Sequence, residues 1–317
     1  MTMRKSLLLI LLLVWPLTAS FGAKYAGEPF SLGVGARPLG MGGAAVAGPF
    51  DASTAYWNPA GMNYLSGHNL IAMHSETFGS LLNHDFVGYI RNRDDSAGSI
   101  RAYGFYFYYL GGGGIKLTGW DPVRNRPYVI AEATHGDYLL AGSISGKIKN
   151  KADFGVTARV IYRDVGGAVK GYGLTADFGL LYDIHPKARL GLAVTDIVSG
   201  FIRYSDGHAE SINPTVKPGF MLHHEIDEFT VLIAGSGDIK FEGIKYGAQF
   251  WAGNISLDTH WGMEVGYREM LFGRAGFDIG NFTGGIGMDF RRITLDLAYL
   301  HNSDFDDTFR VSAGYRF

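Results

Sequence analysis

The sequence predicts an all-β, antiparallel transmembrane β-barrel of about fourteen strands, with a small N-terminal plug segment. Three observations predict it. Segments near ten residues recur in which apolar and polar side chains alternate, with acids placed mid-strand on the polar side. Glycine is abundant (46 of 317 residues), as are aromatics (21 Phe, 18 Tyr, 5 Trp). After the N-terminal apolar run, nothing approaches the ~18 apolar residues of a membrane helix. A strand turns successive side chains to opposite faces, so each alternating segment has one apolar and one wet face. In a soluble sandwich the apolar faces would meet in a core. In a membrane barrel they meet lipid and the charges line the lumen. The segment length matches the ~9–11 residues of a tilted strand crossing a bilayer. Glycine costs ~1 kcal/mol inside a helix and is tolerated where a sheet curves tightly.

The first element is an export signal. Arg4 and Lys5 precede the apolar run Leu7 to Trp15, and small residues follow at Thr18, Ala19, Ser20, Gly22 and Ala23. That is the layout of a secretory signal peptide, assigned to 1–23 with cleavage between Ala19 and Lys24. An uncleaved anchor is the alternative, but the run is short of the ~20 residues a membrane helix needs. Basic and acidic residues nearly balance (28 against 30), which gives no support for nucleic-acid binding. The absence of cysteine excludes disulfides, Cys-ligated zinc, a Cys nucleophile and a lipidated Cys.

The second element, 24–67, is the plug or lead-in. Gly33 to Ala47 is mostly Gly and Ala, which permits close backbone approach. Asp51 is placed to cap a short helix over Ala52 to Trp57. Pro59 ends it, and Asn58-Pro59-Ala60-Gly61 reads as a β-turn. Gly40 to Ala45 also satisfies the G-x-G-x-x-A dinucleotide fingerprint. It lacks the strand before and the helix after that such a site requires.

The third element, 68–317, is the barrel. Clean alternation marks strands at 152–163, 172–183, 243–251, 261–268, 293–299 and 308–317. Weaker candidates lie at 69–75, 84–91, 99–109, 136–148, 187–196, 216–224, 228–236, 271–279 and 281–291. Tyr172 and Tyr182, Phe282 and Phe290, Trp261 and Tyr267, and Phe309 and Phe317 bracket apolar faces like interfacial girdles. Asp177, Glu264, Asp289 and Asp296 fall on wet faces, with Arg159, Arg268, Arg274 and Arg310 as expected partners. Long connections are expected at 110–135, 164–169 and 197–215. These candidates number fifteen, whereas single-chain barrels use an even number. The connection phase places the error between about 228 and 300: either one candidate there is spurious, which gives fourteen strands, or one strand is missed, which gives sixteen.

The last strand alternates Phe309, Val311, Ala313, Tyr315 and Phe317 with Arg310, Ser312, Gly314 and Arg316. It resembles the C-terminal signal by which barrel-assembly machinery recognises bacterial outer-membrane proteins. Phe309, Val311, Tyr315 and Phe317 are its apolar face. The N-terminal motif combines Gly35-Ala36-Arg37, Leu39-Gly40-Met41-Gly42-Gly43-Ala44, Asp51-Ala52-Ser53 and Asn58-Pro59-Ala60-Gly61. It resembles the signature of the PorV/PorQ family, part of the wider FadL-like group of outer-membrane barrels. Gly284 to Met288 and Leu295 to Tyr299 resemble the family too. The resemblance covers both ends of the mature chain. It implies fourteen strands, a plug lodged in the lumen, and a location in the bacterial outer membrane.

No catalytic motif is present. Gly142-Ser143-Ile144-Ser145-Gly146 lacks the central serine of a nucleophile elbow, and His223-His224-Glu225 has the wrong order for H-E-x-x-H. No cofactor or metal is expected. By the resemblance, the chain is a secretion-associated or envelope binding component that engages secreted proteins or secretion subunits. The alternative is a FadL-like transporter of hydrophobic small molecules, with Tyr103, Phe105 and Phe107 lining an apolar path. Those three belong to the lipid face if the opposite reading of 103–109 holds, because that stretch is aromatic on both sides.

Overall fold

The structure, a computed structural model, describes residues 27–77, 81–93, 99–149, 151–198, 200–241, 243, 247–302 and 306–317. The signal peptide read at 1–23 lies outside them. Seventeen strands follow in order: β1 His68–Thr77, β2 Leu82–Asn92, β3 Ile100–Asp121, β4 Arg126–Ile148, β5 Ala152–Val165, β6 Val169–His185, β7 Ala188–Thr195, β8 Gly200–Tyr204, β9 Ala209–Ile212, β10 Thr215–Ile226, β11 Phe229–Lys240, β12 Phe250–Ala252, β13 Ile255–Tyr267, β14 Leu271–Asp278, β15 Asn281–Phe290, β16 Ile293–Leu300 and β17 Thr308–Arg316.

Fourteen of them form the wall: β1 to β7, β10, β11 and β13 to β17, each antiparallel to its neighbours. β17 closes the ring on β1, from Asn69 opposite Arg316 to Glu76 opposite Phe309. Closure leaves no free edge in the ring, which a bilayer demands because lipid offers backbone groups no partner. Phe317 completes the seam: its amide and carbonyl exchange hydrogen bonds with His68, and the two rings stack at 5.0 Å.

The surplus candidate is 243–251. β11 pairs directly with β13 from Phe229 opposite Tyr267 to Lys240 opposite Ser256, so both edges are already taken. Ile244, Lys245 and Tyr246 lie outside the described residues. The remainder contributes only β12, beside the first residues of β13. Alternation makes a segment able to form a strand, but a wall strand also needs two free neighbours.

Two expected connections are mostly strand. β3 and β4 run on through 110–135 as one long hairpin, while β2 reaches only Gly111 and β5 only His135. The glycines at 111–114 that read as loop sit at a register shift in this hairpin. The connection read at 164–169 shrinks to residues 166–168. That at 197–215 holds β8 and β9, with β8 paired to the upper part of β6.

Alternation sorts the side chains. Tyr172, Tyr182, Trp261, Phe282, Phe290, Phe309 and Phe317 are exposed on the outer face. Tyr109, Tyr138, Tyr162 and Tyr172 form a row across β3 to β6, ring to ring at 5.0, 5.6 and 5.2 Å. Such rows suit the membrane interface, where one edge of the ring is apolar and the other wet. Tyr103, Phe105 and Phe107 also face outward. The apolar path expected along them is therefore lipid-facing wall. Tyr106 and Tyr108, at the intervening positions, are the buried aromatics of β3.

Candidate functional site: the plugged lumen

Residues 27–67 lie inside the ring and are largely buried. They form a short 3-10 turn at Glu28–Phe30, the helices α1 Ala36–Gly40 and α2 Thr54–Trp57, and a 3-10 helix at Pro59–Tyr64. Small residues cannot make such a segment self-supporting, so the wall holds it.

Glycine opposite glycine makes the seat. A Cβ on Gly42 would lie 2.5 Å from the Phe277 carbonyl oxygen and 2.6 Å from that of Trp261. On the wall side, a Cβ on Gly262 would lie 2.3 Å from the Met41 carbonyl oxygen. Gly42 also has φ of 67°, a conformation a side chain disfavours. Gly40 packs on the backbone of Gly285, and the Gly40 carbonyl accepts a hydrogen bond from Thr283 at 3.3 Å. The glycine-rich composition thus serves plug contact as well as curvature. Its sequence signal is glycine at wet-face positions of otherwise alternating strands.

Arg37 on α1 donates two hydrogen bonds to the Glu264 carboxylate of β13, at 2.9 and 2.7 Å. Glu264 accepts a further bond from Arg274 at 2.6 Å, and Arg274 reaches Asp296 at 2.7 Å. Burial works against the charge of Arg37, but Glu264 outweighs it and holds the guanidinium above its ordinary range. Bidentate pairing also fixes direction. Gly35 has φ of 82° and leaves no room for a side chain beside Ser53. The Gly42 carbonyl faces His260 Nδ1 at 3.1 Å, and Gly43 sits near the same ring.

Asp51 does not cap a helix. Its carboxylate accepts from the amide and hydroxyl of Ser53, and α2 begins only at Thr54 with no side-chain cap. The side chain closes its own local turn, a competing use of the same chemistry. Asn58, fully buried, donates to the Val46 carbonyl at 2.8 Å and to that of Leu180 on β6 at 3.3 Å, and accepts from the Ala60 amide. Pro59, Ala60 and Gly61 continue from it as the first turn of the 3-10 helix rather than an isolated β-turn. A Cβ on Gly155 would lie 2.3 Å from the Pro59 carbonyl carbon. Below this turn the Tyr64 hydroxyl lies between the carboxylates of Asp153 and Asp183, at 3.0 and 2.9 Å, with one proton to donate to either, and Arg189 lies over its ring at 3.6 Å.

Of the predicted ion pairs, Arg159 meets Asp177 and Arg274 meets both Glu264 and Asp296. Asp289 pairs with Arg316. Arg268 does not enter the lumen; it pairs with Glu228 at the turn end. Arg310 has no carboxylate among the described residues. Its contacts are the His84 ring and, at 3.4 Å, the Gly33 carbonyl. Phe309, Val311, Tyr315 and Phe317 face outward. No group of three or more metal-ligating side chains occurs among the described residues.

Beside the plug lies a cavity of about 70 Å³, bordered by Phe30, Arg159, Ile212, Lys217, Asp238 and Lys240 among others. A cavity that holds benzene measures ~150 Å³, so this one is too small for a monoaromatic ring.

No family model and no curated protein matches this sequence. Solved structures do. A mutant of the monoaromatic hydrocarbon channel TodX matches with a TM-score of 0.53 at 12% identity, over 90% of this chain and 99% of that one. The Pseudomonas putida toluene transporter TodX matches with a TM-score of 0.50 at 13% identity, over 89% and 96%. A FadL homologue of Pseudomonas aeruginosa gives 0.46 at 12% identity, over 90% and 98%. The two TodX structures show that the fold is shared along nearly the whole chain.

Proposed function

We propose that this chain is a non-enzymatic, FadL-like barrel of the bacterial outer membrane that passes small hydrophobic molecules. The observation that carries the reading is a closed fourteen-strand ring filled by its own N-terminal segment, in a fold shared with a toluene transporter. The plug as it stands excludes a ligand, because the cavity beside it is too small. Conduction therefore requires a shift of the plug. Its glycine seat favours that shift: backbone resting on backbone has little side-chain interdigitation to undo. Export through the signal peptide and engagement of assembly machinery by the C-terminal strand belong to the same proposal.

The test is uptake of labelled toluene by cells carrying the protein and by cells lacking it. We expect faster uptake with the protein and a several-fold change on substituting Asn58→Ala together with Pro59→Ala. Equal uptake with and without the protein overturns the reading.

A second reading, a secretion-associated component of PorV/PorQ type, draws on one observation. The β3–β4 hairpin stands beyond its neighbours, with neither edge paired among the described residues and with Ile115, Leu117, Trp120 and Ile130 exposed. Such an edge suits strand addition by a partner protein. Co-purification of exported proteins or envelope subunits, lost on deleting 113–133, supports this reading. Their absence from the intact protein removes it.

A further inference from the structure

The end of the barrel where β17 finishes, opposite the projecting hairpin, carries its cations in two kinds. Lys147, Arg189, Arg268 and Arg316 each hold a carboxylate, from Asp153, Asp183, Glu228 and Asp289 in turn. Arg91, Arg93, Arg101, Lys149 and Lys151 hold none among the described residues. These five belong to two neighbouring turns, β2–β3 and β4–β5. The turns sit side by side, because the Lys147 amide donates to the Ser99 carbonyl at 3.0 Å.

Register fixes how the arginines stand. Arg93 lies directly opposite Arg101, and its amide donates to the Arg101 carbonyl at 2.8 Å. Arg91 stands opposite Tyr103. Asn92, between Arg91 and Arg93, is buried and donates to plug carbonyls, so alternation turns both arginines to the outer face. Arg101 falls at a register shift between Ile100 and Ala102, and its Nε is buried without a partner. Like charges directly opposite on paired strands repel. Asp94 and Asp95 follow Arg93 and lie outside the described residues; with them counted, the two turns still carry five cations against two acids.

Toward the middle of the same strands the outer wall changes character. The His68 ring and the Tyr89 hydroxyl meet at 2.7 Å, and beyond them Val87, Tyr103 and Phe105 are exposed. Cations at the rim, then polar aromatic edges, then apolar side chains follow the profile of one lipid leaflet, from phosphate through ester to acyl chain.

We propose that Arg91, Arg93 and Arg101, with Lys149 and Lys151 beside them, bind the phosphate headgroup of an anionic phospholipid of the phosphatidylglycerol class in the periplasmic leaflet. The inference rests on the outer-membrane placement proposed above and is independent of what passes through the lumen. Guanidinium forks match phosphate oxygens bidentately, and the acyl chains lie along Val87 and Phe105. A zwitterionic lipid brings its own ammonium into a cluster that is already positive, so the site discriminates by headgroup charge.

The test is native mass spectrometry of the full-length barrel, released from detergent micelles doped with equal amounts of palmitoyl-oleoyl phosphatidylglycerol and palmitoyl-oleoyl phosphatidylethanolamine. The intact protein should retain the phosphatidylglycerol at least fivefold over the phosphatidylethanolamine. Arg91→Gln, Arg93→Gln and Arg101→Gln together should bring that ratio below twofold. Lys187→Gln, Arg268→Gln and Arg292→Gln together remove the same charge elsewhere on the rim and should leave the ratio at the parent value. Heat-modifiable migration checks that each variant is folded, and the two-lipid comparison in the intact protein needs no variant. Equal retention of both lipids by the intact protein overturns the site. A preference lost alike in both triple variants reduces it to net charge and overturns the site as well. Equal retention, with an acidic envelope protein that co-purifies with the parent and not with the arginine variant, assigns the patch to that protein and removes the lipid. Toluene uptake is read separately, so this site and the transport reading fail independently.

Discussion

The lumen has two unlike sides, and the plug meets each by a different physics. Strands β1 to β3 present Ile71, Met73, Phe86, Ile90, Tyr106 and Tyr108 to it. Strands β13 to β16 present Glu264, Arg274 and Asp296. On the first side contact is mainly apolar packing, with Tyr56 and Met62 of the plug in the wall cluster, and the hydrogen bonds there are uncharged ones from Asn92 and Tyr108 to plug carbonyls. On the second, Arg37 is held by a bidentate ion pair in a chain of alternating charge. The difference teaches a division of labour: the charged side sets the plug's orientation, and the apolar side supplies burial that can re-form after a shift.

The largest expected effect comes from breaking the charged side. Glu264→Ala leaves Arg37 and Arg274 without their common carboxylate, and loss of one partner from a buried pair costs ~3–5 kcal/mol. Thermal unfolding should move down accordingly, and protease should reach the plug. A change below ~1 kcal/mol would mean that the network does not orient the plug. Next is Gly262→Val, whose Cβ has no room against Met41. Overpacking costs ~1–3 kcal/mol, and the strain should lift the plug while the ring still forms. Single-channel conductance above that of the parent is the readout; an unaltered current contradicts the seat. Ile90→Val, on the apolar side, should cost only ~0.5–1.5 kcal/mol and leave conductance unchanged. Replacing 115–133 by a tight turn should alter the stability of the ring by no more than ~0.5 kcal/mol. A larger loss would show that the projecting hairpin supports the wall.

The charged side was the more legible in sequence. Glu264 and Asp296 lie between apolar neighbours, so alternation alone puts them on a wet face, and Arg274 lies on a wet face of β14, one strand from Glu264 and two from Asp296. On β3 the same rule is silent, because Tyr103, Phe105 and Phe107 alternate with Tyr106 and Tyr108. Only the register against β2 and β4 decides which set faces lipid. Arg310 shows the limit in the other direction. Its place on a wet face is readable, but its lack of a carboxylate depends on which side chains the plug brings beside it. Asp51 was misread as a helix cap because its carboxylate has two local backbone uses and the chain chose the tighter turn.

Alternation, glycine content and the apolar C-terminal strand are local properties, and they were enough to determine a transmembrane barrel with a small-residue segment ahead of it. The number of wall strands was not local. It turned on β11 taking β13 as its partner and excluding 243–251, a choice made by hydrogen-bond geometry across the sheet. The seat of the plug, the contact of Arg310 with His84 and the projecting hairpin were decided the same way. Each depends on what lies across the ring, and distance across a barrel is not written in distance along the chain.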